Sequence, residues 1–137
     1  MSATLLAFGA LDARLANSCR LLRLRRHELA VRIGVHDFER AAPQRMWFDV
    51  DLCVRLEHAP ASRDHIGATL DYDFVRALIA EVVGQVHHEL QETLCDAILA
   101  RLMAHPRIQA ARVATAKPDV YPDCESIGTE RVALKPW

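Results

Sequence analysis

Four side chains of the 137-residue chain could do chemistry: Glu39 in RIGVHDFERAAPQ (32–44), Tyr72 in LDYDF, Glu92 in LQETL and Lys117 in ATAKPD. Two carboxylates, a phenol and an amine are groups that hold, relay or donate protons. Each sits at the end of an element, where a rigid scaffold can aim a side chain into a pocket. Each also has an ordinary reading. Glu39 is then a surface loop charge, and Tyr72 a core aromatic with a wet tip. Glu92 simply favours the positive end of a helix, and Lys117 is a solvated strand end. Taken singly, the ordinary readings prevail.

A metal-dependent hydrolase is the first rival. HHELQE places His88 and Glu92 four apart, as ligands on one helix face would be, and His36 with Asp37 is the only other candidate pair. Leu90 and Gln91 break the helix here and no third ligand stands out. With seven histidines such pairs arise by chance, so the signal is weak. Cys19, Cys53, Cys95 and Cys124 include no CxxC pair, so neither a structural zinc nor a redox couple is indicated. Wide spacing fits free thiols in a reducing cytoplasm.

The elements that must position these residues are legible in the apolar pattern. Leu29, Val31, Ile33 and Val35 alternate as a strand, and Met46, Phe48, Val50, Leu52, Val54 and Leu56 alternate as a better one. The second strand's other face (Trp47, Asp49, Asp51, Cys53, Arg55) is mixed, as on a partly covered face. After a loop over 58–71, DYDFVRALIAEVVGQVHHEL reads as a helix. Phe74, Leu78, Val82 and Val86 recur at i+4, with Val75 and Ile79 beside them, and Asp71 or Asp73 serves as cap. QETLCDAILARLMAHP reads as a second helix, with Leu94, Ile98 and Leu102 on one stripe and Pro106 stopping it. Strands follow at Ile108–Ala116 and Ser126–Leu134, with Ile127 and Val132 expected inward or at an interface. The order strand-strand-helix-helix-strand-strand predicts an α+β domain: a four-stranded, mostly antiparallel sheet with two helices on one face. Its open edges invite pairing with another copy, so a homo-oligomer is expected.

Composition bounds the partners. The length is that of one domain, and a net charge of −1 supplies no field for nucleic acid or an acidic membrane. Arg20, Arg23, Arg25 and Arg26 read as a solvated face, since nothing aromatic interleaves them. In MSATLLAFGALDARL, Asp12 and Arg14 cut off the apolar run, which makes a poor signal peptide and is too short to span a membrane. LLAFGALDARLANSCRLL is partly amphipathic, as a helix that docks on a neighbour would be, and its pattern names no function.

IGVHDFERAAPQ, DVDL, TLDYDFV, LQETLCDAI and KPDVYPDCESIGTE, in that order, resemble dihydroneopterin aldolase, the folate-pathway family that clips the side chain of 7,8-dihydroneopterin. The resemblance covers residues 27–134, and the strand–helix order agrees with that family's tunnelling fold. It implies an N-terminal extension (1–24) followed by one catalytic domain (25–137). It implies a retro-aldol cleavage to 6-hydroxymethyl-7,8-dihydropterin and glycolaldehyde. No metal, cofactor or Schiff base is called for, because the ring's N5=C6 imine accepts the electrons. Lys117 matches the family's catalytic lysine, a general acid/base whose pKa burial against a ring would lower. Tyr72 matches the tyrosine that relays or donates protons. Glu92 matches the pterin-anchoring glutamate, whose carboxylate takes two parallel hydrogen bonds from the 2-amino-4-oxo-pyrimidine edge. The backbone of Gln91 helps hold the ring, and Glu39 matches the loop glutamate that closes the pocket. The resemblance further implies four-subunit rings closing a barrel, single (tetramer) or stacked (octamer), with active sites between subunits in the cytoplasm.

Asp119 departs from the glycine that many members carry after the KP pair. Its charge would raise the pKa of Lys117 or reshape the pocket mouth, and VYPDCES brings Tyr121 and Cys124 near. Two relatives of the reading stay open: a C2′ epimerase of dihydroneopterin or its triphosphate, and a non-catalytic pterin-binding ring. A triphosphate calls for basic residues at the mouth, where Asp119, Asp123 and Glu125 stand instead.

Overall fold

In the computed structural model, which describes residues 1–58 and 61–137, four strands form one sheet. They are β1 (Cys19–Val31), β2 (Gln44–Arg55), β3 (Ile108–Lys117) and β4 (Ile127–Leu134), ordered β1-β2-β3-β4 with every neighbouring pair antiparallel. The helices are α1 (Ala3–Leu11), α2 (Ala13–Asn17), α3 (Asp37–Ala41), α4 (Asp73–Gln85) and α5 (Gln91–Met103). The expected α+β architecture is the observed one. Of the loop read at 58–71, Ala59 and Pro60 lie outside the described residues; single 3-10 turns occupy Ala61–Arg63 and Ile66–Ala68.

The inward face of β2 is the best-packed part of the molecule. Met46, Phe48, Val50, Leu52 and Val54 are all buried, against Val75, Ile79 and Val82 of α4 and Leu94, Ile98 and Leu102 of α5. The α5 stripe is as read. The α4 stripe is Val75, Leu78, Ile79 and Val82; Val86 lies beyond the last turn and is exposed. Asp71 caps α4 by accepting the Asp73 N–H at 3.0 Å.

β1 differs from its reading. It starts at Cys19, not near Leu29, so residues 19–24 of the stretch read as an extension are part of the sheet. The cause is its place at the sheet edge. Exposed arginines alternate irregularly with half-buried leucines, so no clean period survives, and pairing with β2 from Cys19↔Arg55 to Val31↔Gln44 defines the strand instead. A register shift between Leu24 and His27 puts Arg26 at a φ of 48°, a bulge that twists the edge. Ile33 makes a single parallel bridge to His88, and Val35 is exposed. Ile127 and Val132 on β4 are exposed as well.

The second sheet face is partly covered, as the mixed outer face of β2 suggested. Phe8 of α1 and Leu15 of α2 pack on Cys19, Cys53 and Ala110, so the N-terminal helices dock on their own sheet. Trp137 anchors the same corner under two guanidiniums, Arg14 at 4.9 Å and Arg55 at 4.2 Å from its ring. Further along this face Asp51 is fully buried between Arg25 (2.7 Å) and Arg112 (2.8 Å), so the carboxylate keeps two charged partners. Arg26 lies over Trp47, its guanidinium 3.7 Å from the ring. All four cysteines are free thiols, and only Cys124 is exposed. Among the described residues no helix is long and apolar enough to cross a membrane.

Candidate active site

The loop between β1 and β2 is folded around Glu39. His36 precedes α3, and Glu39 in its first turn reaches back to accept the His36 N–H at 3.3 Å. Gly34 makes room for this. Its φ of 121° suits glycine, and a Cβ there would overlap the Glu39 side chain. Gln44, at the start of β2, donates from one amide nitrogen to the Ile33 carbonyl (2.7 Å) and to Glu39 Oε2 (2.8 Å). Lys117, the last residue of β3, donates from Nζ to the same oxygen at 2.9 Å. Only 8% of the Glu39 side chain and 11% of the Lys117 side chain remain exposed, so the pair is largely desolvated. Burial pushes the Glu39 carboxyl up, but Lys117, Gln44 and the His36 N–H outweigh it and hold the group at about 2.

The N-terminus of α5 is fastened beside this pair. The Gln91 side chain is buried, accepting from Thr115 Oγ1 at 2.9 Å and donating to the Ile127 carbonyl at 3.4 Å. Thr115 lies two residues before Lys117, and Ile127 is the strand partner of Lys117, so α5 begins next to the lysine. Glu92 follows Gln91 in the first helical turn, exposed, at the positive end of the helix dipole. Glu39, Gln91 and Lys117 are thus brought together, with Glu92 adjoining.

Tyr72 is not part of this group. It is exposed at the start of α4 and lines a separate cavity of about 350 Å³ with Leu22 and Leu24 of β1 and Val50 and Leu52 of β2. Asp119 does not face the lysine either: Arg45 engages its carboxylate with two bonds, at 2.8 and 3.1 Å. Tyr121 and Cys124 are both exposed. Among the described residues no three His, Cys, Asp or Glu side chains converge as metal ligands would.

Sequence reasoning missed Gly34, Gln44 and Thr115. Gln44 carried a faint signal, a polar residue opening an otherwise apolar-alternating strand. Gly34 carried only the general signal of a glycine inside a strand pattern, and Thr115 carried none, because its partner Gln91 lies 24 residues away on α5.

A small antiparallel sheet backed by two helices, with a largely buried carboxylate–ammonium pair at one strand end, defines an α+β domain with a charged group held inside it. Comparison with known proteins narrows this. The dihydroneopterin aldolase family profile matches residues 22–131. The dihydroneopterin aldolase of Burkholderia thailandensis, solved bound to guanine, is 44% identical and superposes with a TM-score of 0.83 over 92% of this chain and 98% of that one. Two more distant structures share the fold. A putative dihydroneopterin aldolase from Vibrio cholerae is 21% identical, with a TM-score of 0.78 over 86% of this chain and 99% of that one. The Escherichia coli dihydroneopterin aldolase in complex with neopterin is 19% identical, with a TM-score of 0.77 over 83% and 98%. The chain belongs to the dihydroneopterin aldolase family.

Proposed function

We propose that this enzyme cleaves 7,8-dihydroneopterin by a retro-aldol reaction, yielding 6-hydroxymethyl-7,8-dihydropterin and glycolaldehyde. The observation that carries the reading is the buried Glu39–Lys117 pair, 2.9 Å apart, beside the N-terminus of α5. A base takes the proton of the C2′ hydroxyl, the C1′–C2′ bond breaks, and C2′ becomes the aldehyde carbon of glycolaldehyde. The bonding pair passes through C6 onto N5 of the ring, whose imine is the electron sink. An acid then protonates C1′, leaving the hydroxymethyl group. Lys117 carries the proton in both directions, Glu39 holds its ammonium form, and Gln44 holds Glu39. The ring's N–H edge pairs with the Glu92 carboxylate, and the Gln91 backbone supports it. The electron sink lies in the substrate, so the reading calls on neither a Schiff base nor a metal.

Tyr72 enters from a second copy of the chain. Lys117 pairs with edge strand β4, whereas Tyr72 lines a cavity along the opposite edge, β1. Joining the β1 edge of one protomer to the β4 edge of the next gives each lysine a neighbour's tyrosine. Repeating that contact supports the closed ring, tetramer or octamer, with sites between subunits.

The test is incubation with 7,8-dihydroneopterin and chromatographic separation of products, with Lys117→Ala alongside. The expected result is hydroxymethyldihydropterin and glycolaldehyde from the wild type and a loss of about a hundredfold or more in the variant. Formation of the C2′ epimer alone would make the protein an epimerase on this scaffold. Pterin bound without turnover would end the catalytic reading.

A further inference from the structure

We propose that His87 is a positioning residue that holds the Glu39 loop in register with Lys117; the proposal rests on the lyase reading above. Residues 86–90 link α4 to α5 and run alongside the start of the loop. His87 donates from Nε2 to the Gly34 carbonyl at 2.8 Å, the carbonyl being able only to accept. Two backbone bonds flank this contact: Gly34 N–H to the His88 carbonyl at 2.9 Å, and His88 N–H to the Arg32 carbonyl at 3.2 Å. Three bonds therefore stitch residues 32–34 to residues 87–88.

The stitch matters because of what Gly34 touches. The Glu39 side chain packs so closely on Gly34 that a Cβ there would overlap its carboxyl carbon. A shift of the Gly34 peptide moves the surface on which Glu39 rests, and with it the oxygen that Lys117 and Gln44 share. The same linker leads into Gln91, so one segment sets both the acid–amine pair and the end of α5 proposed to hold the ring. Among the described residues the His88 ring makes no hydrogen bond to residues 32–34 and its Nδ1 is buried without a hydrogen-bond partner, so the side-chain contact of the stitch comes from His87. The nearby Arg40–Glu89 ion pair is exposed on both sides and contributes little. Two of the three stitching bonds are backbone bonds, so removing the imidazole leaves the fold in place.

The experiment compares His87→Ala, His87→Phe and His87→Gln with the wild type by two readouts. In hydrogen–deuterium exchange, the peptide covering residues 32–41 exchanges about tenfold faster in the Ala and Phe variants, while Gln, which restores a donor, stays near wild type. In turnover of 7,8-dihydroneopterin, kcat falls about tenfold in Ala and Phe with KM within about twofold, and Gln recovers most of it. Unchanged exchange, faster exchange with kcat intact, or an equal loss in the Gln variant would overturn the proposal. If the wild type does not turn over this substrate, the lyase reading fails by itself, and the exchange experiment still decides whether His87 holds the loop.

Discussion

Glu39 receives hydrogen bonds from the His36 N–H, the Gln44 amide and the Lys117 ammonium, which explains how a charged residue can lie buried in a loop. Each donor comes from a different element, so the carboxylate fastens α3, β2 and β3 together. Its carboxyl is held at about 2, below the ordinary 4.5. A depressed carboxyl stabilises the fold above its unfolded pKa and loses that contribution as pH falls through the folded value. Urea unfolding of wild type and Glu39→Gln should therefore differ most above about pH 5, with the gap closing as pH falls toward about 2. A gap independent of pH would mean that the charge of Glu39 does not stabilise the fold.

At the scale of elements, the N-terminal helices cover part of the second sheet face, where Phe8 and Leu15 seal Cys19, Cys53 and Ala110. Burial, with Cys19 and Asp51 nearby, pushes the Cys53 thiol up to about 12, so it is doubly protected from reagents. Phe8→Ala removes the seal and should cost about 3 kcal/mol if the site does not collapse. Thiol titration of the native protein should show one fast group, the exposed Cys124. In the variant Cys19 and Cys53 should join it, while Cys95, on the buried face of α5, stays slow. Equal thiol reactivity in the two proteins would show that Phe8 does not seal the pair.

At the scale of the whole molecule, the proposed site residues divide between two places: Glu39, Gln91, Glu92 and Lys117 at one, Tyr72 at the other. If sites form between subunits, two dead variants should complement. Tyr72→Ala and Lys117→Ala, each inactive alone, should regain part of the wild-type turnover when co-expressed, because some interfaces then pair an intact tyrosine with an intact lysine. Mixed oligomers with no recovered activity would place Tyr72 and Lys117 in the same subunit's site.

The sequence by itself determined the α+β class, the inward face of β2 and the buried stripe of α5. Those depend on periodicity, which local geometry imposes wherever one side of an element is buried. It also carried the motifs whose order places the chain in its family. Tertiary structure alone decided the start of β1, because an edge strand takes its definition from its partner rather than from its own alternation. It also decided that α1 and α2 fold back on the sheet, that Asp119 turns to Arg45 rather than to Lys117, and that Thr115 meets Gln91 two residues before Lys117 on β3. A hydrogen-bond partner distant in the chain leaves no local period. Glu39 and Lys117 are 78 residues apart in the chain, and only the sheet makes them neighbours.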